Sequence, residues 1–129
     1  MFNRIRAGIL WSRAIGEVQA GNGSAARALI ERMAKLIALK PYHIVMLAHA
    51  EIRDGNDEEA ASHLRSALNL LSSNQHSNAR YLKLHAQAIL NMMDSKPYDD
   101  LAREATELPC TPRLRRWFPL RAGNEATGH

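Results

Sequence analysis

Six histidines and one cysteine are the side chains of this 129-residue sequence best suited to metal binding or nucleophilic catalysis. A zinc site of the metalloprotease type needs two histidines four residues apart on one helix face, and no two of the six have that spacing. Glu59 and His63 do have it and could share a metal ion. A hydrogen bond or ion pair between them is the favoured interpretation.

The single cysteine, Cys110, lies between two prolines in Pro109-Cys110-Thr111-Pro112 and has no CxxC partner. One cysteine cannot form an internal disulfide, so a reducing compartment, the cytoplasm, is the expected location. The sequence also contains no glycine-rich phosphate loop and no Gly-x-Ser-x-Gly elbow. We therefore expect a protein that is not an enzyme and uses no catalytic residue, cofactor or metal ion.

The secondary structure that positions these histidines and the cysteine is predicted to be helical throughout the chain. The composition, 46% hydrophobic, 23% charged and 5% aromatic, is typical of one small globular domain. Apolar residues recur at helical spacing, and no stretch alternates long enough for a convincing strand. Glycine and proline divide the chain into a helix ending at Gly21-Asn22-Gly23, a second from Ser24 to Leu39, a third through Ile44 and Ile52, a fourth from Asp57 to Leu71, a fifth from about Ala79 to Met93, and a sixth ending at Leu108.

An internal repeat organises these helices. Five pairs of positions lie 34 residues apart and match in type: Gly21 and Gly55, Ala26 and Ala60, Ile30 and Leu64, Met33 and Ala67, Ile37 and Leu71. The stretch from Gly55 to Ala60, continuing to Leu64, Ala67 and Leu68, resembles the turn and second helix of the tetratricopeptide repeat family, which has this period.

The resemblance covers roughly Ala7 to Leu108. It implies an all-α, antiparallel helix-pair solenoid of about three tetratricopeptide-like pairs over residues 1–110, with a short C-terminal capping helix. In the third pair, Lys96 stands where a turn glycine would help.

Tetratricopeptide proteins bind peptides in the concave surface formed by the first helix of each pair, so the resemblance implies a non-catalytic interaction, scaffold or adaptor module. Carried over to this chain, the peptide-binding residues are Trp11, Ile15, Tyr42, Val45, His49, Ile52 and Arg53. The set is mostly apolar and lacks the converging Lys, Arg and Asn side chains that grip a terminal carboxylate. The expected partner is another protein that supplies a hydrophobic peptide or helix, and a homodimer is the further option.

Residues 111–129 are predicted to form a short basic amphipathic helix, 111–118, followed by a flexible tail. Leu114, Trp117 and Phe118 fall on one helix face and are expected to dock, as a cap on the last pair, as a motif for another protein or as a plug in the groove. Four arginines and one acid give this segment +3 of the net +4. The alternative function is therefore association with nucleic acid or an anionic surface through this segment. The near-neutral remainder disfavours nucleic acid.

The N-terminal segment has two interpretations. Arg4, Arg6 and Arg13, with no acid among the first sixteen residues, are typical of an amphipathic targeting presequence. Apolar residues continue at helical spacing from Ile5 to Val18, which favours a structural helix instead. No apolar run approaches the ~20 residues that span a bilayer, so no membrane span is expected.

Overall fold

The chain is helical in a computed structural model that describes residues 2–120. Seven α-helices and no β-strand occur over those residues. The helices are α1 (Asn3–Gln19), α2 (Gly23–Ala34), α3 (Pro41–Arg53), α4 (Asp57–Leu71), α5 (Ser77–Met93), α6 (Asp99–Glu107) and α7 (Pro112–Trp117). The all-α prediction is therefore confirmed.

The chain divides into two compact units between Ser66 and Ala67, which differs from the boundary expected at residue 110. Residues 111–120 belong to the C-terminal unit, in which α7 lies. The flexible tail expected after residue 118 falls almost entirely outside the described residues.

The 34-residue repeat corresponds to a repeated turn geometry. Gly21 (φ +86°) and Gly55 (φ +79°) both adopt the left-handed conformation. The backbone N–H of the following residue reaches back five positions in each turn, from Asn22 to the Glu17 carbonyl and from Asn56 to the Glu51 carbonyl, both at 2.8 Å. This is the bond pattern of the Schellman motif, which glycine favours because it lacks a Cβ.

The turn after α5 repeats the same bond with a different residue. The N–H of Lys96 reaches the Asn91 carbonyl at 2.7 Å, and the left-handed residue is Ser95 (φ +56°). The glycine position of this turn is therefore Ser95 and not Lys96. The turn forms without glycine, although a left-handed conformation costs an L-residue about 1–2 kcal/mol.

The core of the N-terminal unit depends on small residues where helices approach closely. Ala14 of α1 and Ala26 of α2 are fully buried, and α2 packs against both α1 and α3. Gly23, the first residue of α2, lies against the end of α3. A Cβ there would overlap the carbonyl oxygen of Ala50 and come within 2.6 Å of Asp54 Oδ1. Any larger residue at position 23 would push α2 away from α3.

Helix α2 ends at Ala34, five residues before the predicted end at Leu39. The stop signal expected from Pro41, the first residue of α3, acts on the residue before the proline. Lys40 before it is extended, at φ −89° and ψ 164°, because the proline ring disfavours helical backbone in the preceding residue.

We expect Gly55→Ala to lower the free energy of unfolding by about 1–2 kcal/mol, because alanine is strained at a φ of +79°. Urea denaturation followed by circular dichroism measures this. Gly16→Ala is the matched control. Gly16 lies inside α1, and a Cβ there meets nothing within 4 Å. Gly16→Ala should therefore raise the free energy of unfolding by about 0.5–1 kcal/mol. Equal effects at the two positions would contradict the turn geometry.

Candidate functional site

A buried carboxylate joins three segments of the N-terminal unit. Glu51 of α3 is 6% exposed. Its Oε1 lies 2.7 Å from Arg27 Nη1 of α2 and accepts a hydrogen bond of 3.0 Å from Asn56 Nδ2, just before α4. Its Oε2 lies 3.6 Å from Nε2 of His63 on α4. His63 thus lies against Glu51 and not against Glu59, the partner expected from the sequence.

A second carboxylate extends this cluster. Asp54 Oδ2 lies 3.2 Å from Arg27 Nη1 and accepts a hydrogen bond of 3.0 Å from the Ser24 hydroxyl. The sequence predicted that α2 starts at Ser24, but the helix already begins at Gly23 and the N-cap position is Asn22. The Ser24 side chain instead ties the start of α2 to the end of α3.

The cluster favours the ionised form of Glu51. Burial by itself raises the pKa of this carboxyl group. Hydrogen bonds from Asn56 and Arg27, together with the charges of Arg27 and His63, outweigh burial and hold the pKa below its ordinary 4.5. Chiefly through its hydrogen bond to Glu51, Arg27 has a raised pKa in turn. A carboxylate held ionised in this way is suited to ion pairing and not to proton transfer near neutral pH.

A sequence signal for this cluster exists and was missed. Glu17 and Asn22 make the same side-chain contact as Glu51 and Asn56, with Asn22 Nδ2 donating to Glu17 Oε1 at 2.9 Å. The pattern Glu-x-x-x-Gly-Asn therefore occurs twice, 34 residues apart. The asparagine follows the left-handed glycine, so its side chain points back to the glutamate in the last turn of the preceding helix.

A groove with an aromatic floor lies within the N-terminal unit. Its volume is about 530 Å³, and α1, the end of α2 and the start of α3 line it. The Trp11 ring meets the Tyr42 ring edge-on at 5.5 Å and the His43 ring at 4.9 Å, and the Tyr42 and His43 rings lie 4.2 Å apart. We call this the aromatic groove; its lining is Arg4, Ala7, Gly8, Trp11, Met33, Ile37, Ala38, Lys40, Tyr42 and His43.

The predicted peptide-binding residues are only partly brought together. Trp11 and Tyr42 line the aromatic groove, although Trp11 is only 7% exposed. Val45 is fully buried in the core, so its side chain does not face an open surface as expected. Half-buried positions on α1 and α3 are occupied by Ile15, His49 and Ile52, while Arg53 is exposed.

His43 was missed as a groove residue. It is 3% exposed, and its Nδ1 accepts a hydrogen bond of 2.9 Å from the backbone N–H of Lys40. Burial, and then the charge of Lys40, lowers the pKa of His43 to about 4. The ring is therefore neutral at physiological pH. The signal was its position three residues after Lys40, where a side chain can reach back to cap a helix.

A second groove, between α1 and α2, is lined by cations. Its volume is about 420 Å³. The floor is Ile9, Leu10 and Leu36, and we call it the basic groove after its four exposed cations: Arg6, Arg13, Arg32 and Lys35. No acidic side chain among the described residues lines it. The sequence placed most of the net charge in the C-terminal tail; of these four cations it singled out Arg6 and Arg13, as part of an N-terminal segment without acidic residues.

The predicted C-terminal docking residues pack within the C-terminal unit. Phe118 is fully buried with its ring 5.4 Å from that of His85, and its carbonyl accepts a hydrogen bond of 2.7 Å from the Tyr81 hydroxyl. Leu114 is buried, and Trp117 is half-buried. The side chains of Leu114 and Phe118 therefore contribute to the interior of the C-terminal unit.

One of the tail arginines is used inside the unit. Arg115 Nη1 donates to the Ala105 carbonyl at 3.1 Å, and Nη2 donates to the Leu108 carbonyl, so the guanidinium satisfies acceptors at the end of α6. The same guanidinium lies 4.9 Å from the centre of the Tyr81 ring. Arg113 and Arg116 are exposed, and Arg121 lies outside the described residues.

Comparison of the chain with protein-family models, with curated proteins and with solved structures gave no match in any of the three. The tetratricopeptide resemblance therefore rests on the residues quoted for it. Residues 2–120 contain no group of three or more His, Cys, Asp or Glu side chains arranged to hold a metal ion. No helix in that range is long and apolar enough to cross a bilayer.

We expect Glu51→Gln to lower the free energy of unfolding by about 1–3 kcal/mol at pH 7, because the buried side chain at position 51 loses its charge-assisted hydrogen bonds. The depressed pKa of Glu51 fixes the pH dependence. The stabilisation is present above the ordinary pKa of 4.5 and is lost as the pH falls through the lower folded value. The difference between wild type and variant should therefore shrink in acid.

Urea denaturation at a series of pH values measures that difference. The comparison uses the difference between the two proteins because His43 and His49 also have pKa values lowered to about 4. Their protonation changes the stability of wild type and variant alike in acid, and the difference removes this contribution. The control is Glu104→Gln at an exposed position of α6, which should change stability by less than about 0.5 kcal/mol. A pH-independent difference for Glu51→Gln would contradict the ion pair.

We expect Phe118→Ala to lower the free energy of unfolding by about 3–5 kcal/mol, because a fully buried aromatic ring is removed. Phe118→Leu, which keeps most of the apolar volume, should cost less than about 1.5 kcal/mol. Trp117→Ala, at a half-buried neighbouring position, is the control. Its effect on the free energy of unfolding should lie between those of the two Phe118 variants. Equal stability of wild type and Phe118→Ala in urea would mean that this ring serves a partner instead of the fold.

Proposed function

We propose that this chain is a non-catalytic protein-interaction module of tetratricopeptide-like design that binds an apolar peptide segment of another protein in the aromatic groove. The observation that carries the proposal is the groove itself. It combines an aromatic floor with apolar lining residues such as Met33 and Ile37, in a volume suited to a few side chains.

The elements that line the groove support the proposal. In the tetratricopeptide family the first helix of each pair lines the peptide site, and here α1 contributes Gly8 and Trp11 while α3 contributes Tyr42. Aromatic side chains supply large contact area with few rotatable bonds, which is why they dominate the energetics of protein interfaces.

The rim of the groove predicts the character of the peptide. Arg4 and Lys40 are exposed cations at the rim, and His43 below them is neutral. We expect an apolar segment flanked by an acidic residue, because opposite charge at the rim steers association and fixes orientation. Cys110 and the absence of any disulfide partner remain the grounds for expecting a reducing compartment such as the cytoplasm.

Gly8 allows a direct test. It lies inside α1, lines the groove, and has nothing within 4 Å of the position that a Cβ would take. We expect Gly8→Leu to fill the groove from within and to weaken peptide binding at least tenfold. Folding should be preserved, because leucine is the better helix former.

The experiment selects peptides from a random library against the wild-type chain and measures their affinity for both forms by fluorescence anisotropy. Gly16→Leu places the same side chain at another open position of α1 and should leave binding unchanged. Enrichment of no peptide would overturn the proposal, as would peptides that bind Gly8→Leu as tightly as wild type.

A further inference from the structure

The basic groove is a second surface that peptide binding in the aromatic groove does not use. Four exposed cations surround its aliphatic floor. Like charges gathered this closely repel one another, so their clustering works against stability unless an anionic ligand offsets it. The surface therefore needs an explanation of its own.

Helix α1 also exposes large apolar side chains beside this groove. Phe2, Ile5 and Ile9 are 68%, 62% and 57% exposed, and their spacing places them on one face. We call these three residues the outer stripe. The residues that α1 buries, such as Ala14 and Val18, lie on the other face. The helix is thus apolar on two sides, and only one of them serves the core.

Helix stability does not account for the arginines of α1. Arg4 and Arg6 lie near the positive end of the helix dipole, where acidic residues are favourable, and the first turn of α1 contains no acid. Arg32 and Lys35, at the end of α2, do suit their helix dipole. Arg4 and Arg6 are therefore placed against the local preference, which points to a role outside the helix.

We propose that the outer stripe and the basic groove together bind the surface of a bilayer that contains anionic lipid. Ile5 and Ile9 enter the boundary between headgroups and acyl chains, while the groove cations contact lipid phosphates. A helix with basic side chains beside an exposed apolar face binds bilayers in this way, lying in the plane of the interface.

The shape of the surface favours a bilayer over an acidic partner helix. A partner helix packs its ridge into a groove, so the apolar contacts would be concentrated on the groove floor. Here the most exposed apolar side chains are on the outer stripe, and Ile9 belongs both to the stripe and to the groove lining. A bilayer accommodates protruding side chains without a complementary shape and supplies a continuous layer of negative charge.

The test is sedimentation of the full chain with vesicles of phosphatidylcholine alone or of phosphatidylcholine mixed with phosphatidylglycerol. We expect binding only to the mixed vesicles, with an affinity that falls as salt is raised. Arg6→Gln and Arg13→Gln should each weaken binding about fivefold, as expected for one cation near an anionic surface. Ile9→Ser should weaken it roughly tenfold through loss of apolar insertion.

Matched substitutions elsewhere control for overall charge and hydrophobicity. Arg65→Gln removes the same charge at an exposed position of α4, and Leu70→Ser removes an apolar side chain that is 56% exposed. Neither should change vesicle binding, and thermal melting should show all variants folded. Gly8→Leu should also bind vesicles normally, so this proposal and the peptide-binding proposal fail independently.

Three results would overturn the proposal. Absence of binding to the mixed vesicles is the first. Equal loss with the control substitutions is the second. The third is binding that depends on Arg6 and Arg13 but not on Ile9, and that soluble polyglutamate displaces. That result would mean that the cations contact an acidic chain and that no side chain enters a bilayer.

Discussion

The buried carboxylate of Glu51 is the constraint on which the N-terminal unit depends. An ionised group removed from water must find partners, and Glu51 takes them from α2, from the turn before α4 and from α4 itself. These partners fix where α2 starts relative to the end of α3. Gly23 and Ser24 follow from that position, because one leaves room for the Ala50 carbonyl and the other donates to Asp54.

The same turn is used with different partners along the chain. Glu17 and Asn22 repeat the contact of Glu51 and Asn56, but Glu51 also receives Arg27. In the third turn Asn91 replaces the glutamate, and its side chain donates to the Pro97 carbonyl. Polar side chains at helix ends therefore preserve one backbone geometry while each turn adapts to its own surroundings.

Charge is distributed differently in the structure and in the sequence. The tail holds most of the net positive charge, yet Arg115 serves as a donor to the end of α6 and lies over Tyr81. The exposed cluster is instead assembled from α1 and the end of α2, and its four cations, from Arg6 to Lys35, are spread over thirty residues of sequence. Helix α1 then carries two distinct surfaces: Trp11 lines the aromatic groove, and Ile9 lines the basic groove.

Local rules account for what could be read from the sequence. Helices α3, α4 and α7 begin at the residues that the sequence predicts, Pro41, Asp57 and Pro112, and the 34-residue repeat identified the two left-handed glycines. Helix α2 ended five residues before the predicted Leu39, and Lys40, directly before Pro41, is extended. The tetratricopeptide resemblance placed Trp11 and Tyr42 on one surface, and their ring centres lie 5.5 Å apart.

Whether a side chain is buried or exposed depends on neighbouring elements that helical spacing does not specify. Only the tertiary structure determined the burial of these residues. Val45 has the spacing of a groove residue and is fully buried, whereas Ile5 and Ile9 have the spacing of core residues and are exposed. The side chain of His63 on α4 lies against Glu51 of α3. The side chain of Arg115 on α7 donates to a carbonyl of α6. The sequence determined the helices and their turns through bonds between near neighbours, while contacts between distant residues determined which surfaces remain available to a partner.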